Sequence, residues 1–233
     1  MRSLQCLPRL PDTPGVHSAR QLRSRNRPDA APQATLSEVF AETATDAAVT
    51  GFVCAQLPRG DKPVLWVQDR LSLREAGRPY LAGLPHPLSI LHVTVSKPAD
   101  VLWTLEEGLH CAGIAAVLGE IWGDPPVLDF TASKRLALRA EAQARPAWLI
   151  RRAAHPNLSA ARMRWRVASL PAMGVEHDPR APGTPQWRAD LFRARWQPPG
   201  SWVARPGGDG LVLDHPVLAD TAGTAQPPRT LSG

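Results

Sequence analysis

Two neighbouring groups of arginine are the densest chemistry-bearing side chains in the chain: Arg151–Arg152, and the alternating run Arg162, Arg164, Arg166. A guanidinium is planar, permanently charged and matched to phosphate or carboxylate. Five of them along one edge could follow a single-stranded nucleic acid backbone, with Trp165 beside them, or meet an acidic protein partner. The plainer alternative is the solvated face of an edge strand, where charge prevents edge-to-edge pairing. In either case the strict alternation puts Trp165 on the opposite face, in the core. A second basic group, Arg20, Arg23, Arg25 and Arg27, lies in an Arg- and Pro-rich start that reads as a solvated tail.

Other reactive groups are sparse. Glu120 follows the apolar run Ile114–Leu118, where a carboxylate could hold a metal or cap the next turn. His110 and Cys111 adjoin at an expected helix end, with no partner at metal-ligand spacing. The three cysteines, Cys6, Cys54 and Cys111, are widely separated, as expected of reduced thiols in a cytoplasmic protein. The sequence has neither a Gly-x-Ser-x-Gly elbow nor a Gly-x-Gly-x-x-Gly fingerprint, so no cofactor, metal or catalytic residue is expected. No apolar run is long enough to span a bilayer. The net charge is +6, and Arg outnumbers Lys by 24 to 3. Such a balance suits an anionic partner, although clustering matters more than the total.

The elements that must position these groups alternate between short apolar runs and longer helical patterns, an α/β signature. Strands are expected at Leu36–Phe40, Pro63–Gln68, Ser89–Val95, Ile114–Leu118 and Ala147–Arg151. Helices are expected from Asp46 to about Leu57, over Arg74–Ala82, from Pro98 to Gly113, and from a Thr131 cap to about Ala144, with Glu141 paired to Arg145. Arg162–Val167 and Ala189–Trp196 then alternate as half-exposed strands. Trp202–Arg205 and Leu211–Leu213 flank a Gly-rich hairpin tip at Gly207–Gly210. Trp66, Trp103 and Trp148 sit in apolar patterns as core. Trp187, Trp196 and Trp202 stand near Pro-rich connections and suit a partner surface. Composition divides the chain into a disordered basic tail (1–34), a domain (35–215) and a second disordered tail (216–233).

The order of elements resembles the RecA ATPase core. Leu36–Trp196 resembles more closely the ImuA family of SulA/RecA-like proteins. The resemblance is carried by LSEVFAE (36–42), LWVQ (65–68), REAGRPYLAGL (74–84), DVLWTLEEGLHCAGIAAVLGEIWG (100–123), LDFTASKRLALRAE (128–141) and NLSAARMRWRV (157–167). Leu118–Gly123 and NLSAARMRWRV are its most specific parts. It implies a RecA-like, mainly parallel β-sheet flanked by helices, with antiparallel C-terminal strands. It also implies a cytoplasmic accessory protein of SOS-linked, error-prone translesion synthesis, nucleoid-associated when engaged. The implied partners are an ImuB-like polymerase homologue, indirectly a DnaE-type polymerase, and RecA or single-stranded DNA. A SulA-like cell-division inhibitor and an ATPase with an unconventional site using Glu120 stay open beside it.

In RecA-like proteins a phosphate loop follows the first strand, with converging glycine amides, a Lys for the phosphates and a Ser/Thr for magnesium. Here Glu38–Val39–Phe40 matches the preceding triplet. The loop glycines fall on Ala41 and Asp46, the Lys-Thr pair falls on Ala47 and Ala48, and Glu42 and Asp46 add negative charge. The metal-linked Asp falls on Gly119, beside Glu120, and the catalytic Glu falls among Gln68, Asp69 and Arg70. The resemblance therefore implies a degenerate site and a protein that is not an enzyme, since positioning and charge neutralisation supply nearly all of phosphoryl-transfer catalysis.

Overall fold

A computed structural model of the chain describes residues 34–84, 87–178, 180–208 and 210–215. Both expected tails apart from Ala34, and with them Cys6, Arg20, Arg23, Arg25 and Arg27, lie outside the described residues, as does Asp209. The strands are β1 (Leu36–Ala41), β2 (Val64–Asp69), β3 (Ile90–Val95), β4 (Ala116–Trp122), β5 (Ala147–Arg152), β6 (Met163–Leu170), β7 (Gln186–Ala194), β8 (Gly200–Gly207) and β9 (Gly210–Asp214). The helices are α1 (Ala48–Cys54), α2 (Arg70–Ala76), α3 (Pro98–His110) and α4 (Phe130–Ala142), with a 3-10 turn at Leu81–Gly83.

Among the described residues the strands form one sheet, in the order β3-β2-β4-β5-β1-β6-β7-β8-β9. Pairing is parallel from β3 across to β6 and antiparallel from β6 to β9. This is the α/β architecture expected from the sequence. β2 and β5 are buried along their whole length, as apolar runs covered on both faces should be.

On one face α1 packs beneath a cluster of aromatics. Phe52 stands 5.2 Å from Trp165 and 6.4 Å from both Trp148 and Trp187, and Trp165 stands 6.1 Å from Trp202. On the other face α3 and α4 cover β2, β4, β5 and β1. Gly119 lets α3 approach closely: a Cβ there would lie 2.6 Å from Leu105 Cδ1 and 3.1 Å from Val101 and Leu149. No helix among the described residues is long and apolar enough to cross a membrane.

Several boundaries differ from the sequence reading for identifiable reasons. α2 begins at Arg70 rather than Arg74, because the Asp69 carboxylate accepts from Ser72 N at 2.6 Å and starts the helix there. It stops at Gly77, whose φ of +75° favours glycine. α4 is capped by Asp129, which accepts from Ala132 N at 2.7 Å, and not by Thr131. β4 starts at Ala116 and runs on to Trp122, which puts Glu120 inside the strand rather than beyond its end. Glu141 pairs with Arg162, while Arg145 donates to the Leu109 carbonyl. Trp187 and Trp202 are buried beside α1 and β6, whereas Trp103 is 64% exposed and Trp196 55% exposed. Proximity to proline said nothing about whether a β-strand residue faced inwards.

Candidate functional site

The loop leaving β1 is where a phosphate cradle would stand. Ala41 ends the strand, and Glu42 N donates to Val167 O at 3.2 Å. Asp46 accepts from Ala48 N at 2.8 Å, from Ser169 N at 2.8 Å and from Ser169 Oγ at 2.6 Å. It therefore caps the first turn of α1 and ties the loop to β6. Burial would raise its carboxyl, but the Ser169 and Ala48 hydrogen bonds, with Arg152 nearby, outweigh burial and hold it below the usual aspartate value. Ala47 precedes α1 in a helical conformation without any side-chain cap, and Ala48 is buried. Glu42 is ion-paired to Arg188.

Arg152 fills the inside of this loop. Its Nη1 donates to the carbonyls of Ala44 (3.0 Å) and Asp46 (2.9 Å), and its Nη2 donates to Thr50 Oγ1 at 3.0 Å. Its Nε donates to Glu120 Oε1. A phosphate-binding loop turns amide N–H groups inwards. This one turns two carbonyls inwards, onto a cation supplied by the chain itself.

Glu120 is fully engaged as well. Its second oxygen accepts from Gln68 Nε2 at 2.8 Å and from Trp66 Nε1 at 3.3 Å. Gln68 in turn meets His92 Nε2 at 2.7 Å, while burial lowers the His92 pKa, helped by Arg78. Asp69 accepts from Ser72 N and Trp122 N. The residues at the expected acidic positions thus cap, pair and brace. Among the described residues no group of three or more His, Cys, Asp or Glu is arranged so that it could hold a metal ion. Burial, with Glu120 nearby, pushes the Cys54 thiol up to about 12, leaving it inert at neutral pH.

Above the Arg152–Glu120 pair remains a cavity of about 170 Å³, lined in part by Thr45, Thr50, Trp66, Tyr80 and Arg78. A larger hollow of about 540 Å³ lies at the opposite end of the strands, around Arg59, Asp61, Ile114 and Arg145, away from this loop.

The five arginines do not share one solvent face. β6 is not an edge strand, since it lies between β1 and β7, so most of its side chains are covered. Arg151, Arg152 and Arg164 are buried, Arg162 is largely buried against Glu141, and Arg166 alone is exposed. Three of them interleave with aromatics in a ladder across β5, β1, β6 and β7. Arg151 Cζ lies 5.4 Å from the Phe40 ring, and Arg164 Cζ lies 5.2 Å from Phe40 and 5.3 Å from Phe192. Arg166 Cζ lies 5.6 Å from Phe192. Such cation–π contacts strengthen when desolvated.

Glu38 accepts from Arg164 Nε and Ser159 Oγ, both at 2.7 Å, while Asp124 accepts from Arg151 Nη2 at 2.7 Å. Burial lowers the Arg151 pKa, opposed by Glu38 and Asp124. Arg151 Nε and Nη1 and Arg164 Nη2 have no hydrogen-bond partner among the described residues. Sequence reading missed Glu38 as the buried counter-ion. An acidic residue amid the apolar run LSEVFA was the signal, because a buried carboxylate needs a partner.

No family model matches the chain. Among curated proteins it is similar to Protein ImuA of Caulobacter vibrioides, in strains NA1000/CB15N and ATCC 19089/CB 15. Each is 34% identical over 208 residues, spanning 78% of this chain and 82% of the relative.

Proposed function

The chain belongs to the ImuA family, and from that membership we propose that it is a non-catalytic adaptor of error-prone translesion synthesis, binding an ImuB-like polymerase homologue or RecA. Membership carries with it involvement in damage-induced mutagenesis; the adaptor role and the partners are the proposal.

The observation that supports it is the Arg152 guanidinium, which reaches from the end of β5 to fill the loop after β1. Phosphoryl transfer needs a loop that converges N–H donors on the phosphates, a cation for the transferring group and a held magnesium. In this chain the loop carbonyls already hold a buried guanidinium, Ala47 and Ala48 offer no cation or hydroxyl, and both Glu120 oxygens are taken. Freeing Glu120 for a metal would leave Arg152 buried without its counter-charge, a change that costs about 3–5 kcal/mol in comparable pairs. A RecA-like core without a working phosphate site retains its value as a rigid surface.

Co-expression with a tagged ImuB-like protein tests this reading. The chain is expected to co-purify in stoichiometric yield without added nucleotide. Failure to co-purify with either the ImuB-like protein or RecA, together with capture of the tubulin-like division protein, would replace the adaptor with a division inhibitor.

A further inference from the structure

A groove separates α4 from the end of β7. Its floor is Ala160 and Ala161, one wall is the outward stripe Phe130, Lys134 and Leu138 of α4, and the other wall is Arg193–Arg195. Its volume is about 360 Å³. Phe130 and Leu138 are 41% and 49% exposed, large for apolar side chains on a helix whose inner face is already packed. They stand two turns apart, about 12 Å at 1.5 Å per residue, with Lys134 midway.

No carboxylate lines the groove. Arg162, at its floor, is neutralised by Glu141, whose hydrogen bonds hold it at 2.6 and 3.1 Å. Lys134, Arg193 and Arg195 form no ion pair among the described residues, and Arg193 makes a single bond, to the Ser159 carbonyl at 3.3 Å. Three cations without an ion-pair partner at contact distance thus surround two exposed apolar side chains, Arg195 lying 6.0 Å from the Trp196 ring and lending part of its charge to Glu141.

We propose that this groove docks an acidic amphipathic segment of a partner protein, one that places two apolar side chains about 12 Å apart between carboxylates. The inference rests on the adaptor reading and gives it a surface. Charge complementarity selects the occupant. The chain's own residues 1–33 contain six Arg against two Asp and are repelled, and residues 216–233 carry one Asp and one Arg and offer no acidic run. A nucleic acid fits less well. Of the two exposed apolar side chains only Phe130 offers a base a ring, and Leu138 gives it nothing to stack on.

The test uses the full chain and fluorescein-labelled 16-residue peptides in anisotropy titrations. One peptide carries two leucines eight residues apart among Glu and Asp; a second has the same composition with the leucines adjacent. The first is expected to bind at least tenfold more tightly than the second, and more weakly as salt rises. Lys134→Glu/Arg193→Glu/Arg195→Glu is expected to weaken it at least tenfold. Leu138→Asp, a separate exposed position, is expected to do the same without touching a cation, with thermal midpoints confirming that both variants fold. Equal affinities for the two peptides, or insensitivity to both variants, would overturn the groove. So would loss of a labelled oligothymidylate, rather than of peptide, in the triple variant.

Co-purification separates the two claims. An ImuB-like partner retained equally by wild type and both variants overturns the groove and leaves the adaptor reading standing. No partner retained even by wild type overturns the adaptor reading, while the peptide titrations decide the groove by themselves.

Discussion

Glu120 and Arg152 show how two residues typical of catalytic sites can be spent on structure. Both are buried, and each satisfies the other along with Trp66, Gln68, Thr50 and two loop carbonyls. Glu120→Gln keeps the shape and removes the charge, so a buried guanidinium loses its counter-ion. Urea unfolding is expected to show a loss of about 3–5 kcal/mol, with Glu120→Met/Arg152→Met recovering much of it. A Glu120→Gln protein as stable as wild type would remove the structural role assigned to the pair.

The remaining carboxylates set the acid response. Asp46, Asp124 and Glu141 all have folded pKa values below the ordinary 3.8 for Asp and 4.5 for Glu. For Glu141 the Arg162 hydrogen bond is the main cause, whereas for Asp124 the His155 hydrogen bonds and Arg151 outweigh burial. A depressed folded pKa gives stability that is fully present above the unfolded value and lost as pH falls through the folded one. The urea midpoint is therefore expected to fall progressively below about pH 4.5. Asp46→Asn should begin less stable at neutral pH and lose less on acidification; an acid slope unchanged by that substitution would show that Asp46 contributes nothing to it.

β6 joins the two halves of the sheet and presents Trp165 to one face and Arg164 to the other. Trp165 is 1% exposed and packs on Phe52 and Trp202, so Trp165→Ala is expected to destabilise by roughly 3–5 kcal/mol in denaturant titration. A fully stable variant would mean that the aromatic cluster is not the core of that face. The inward placement of Trp165 was legible in the alternation of residues 162–167. The burial of Arg164 was not, because alternation distinguishes two faces and cannot say whether both are covered. That depends on β7 and β1 as neighbours, and on Glu38, 126 positions away in the chain. The strands were legible because short apolar runs identify them. The start of α2 was missed because the Asp69 cap outcompeted the pattern that began at Arg74. Gly119, read as a lost metal ligand, is also the contact that lets α3 lie on β4, a pressure invisible until helix and strand are packed together.

At the scale of the whole molecule, the sheet is parallel through its first six strands, and the protein's own side chains occupy the crevice above the strand ends, where open α/β sheets take ligands. The outer face of α4 and the end of β7, with cations beside exposed apolar groups, stay open to a partner. The candidate site was half legible: the missing Lys and Thr could be read from Ala47 and Ala48, but the filling of the loop by Arg152 could not, since its partners are 32 to 108 positions away. Titration of the purified full chain with labelled ATP and magnesium is the most direct test that this loop is closed. No saturable binding and no phosphate release are expected up to millimolar nucleotide, whereas a micromolar Kd with magnesium-dependent phosphate release would contradict the account.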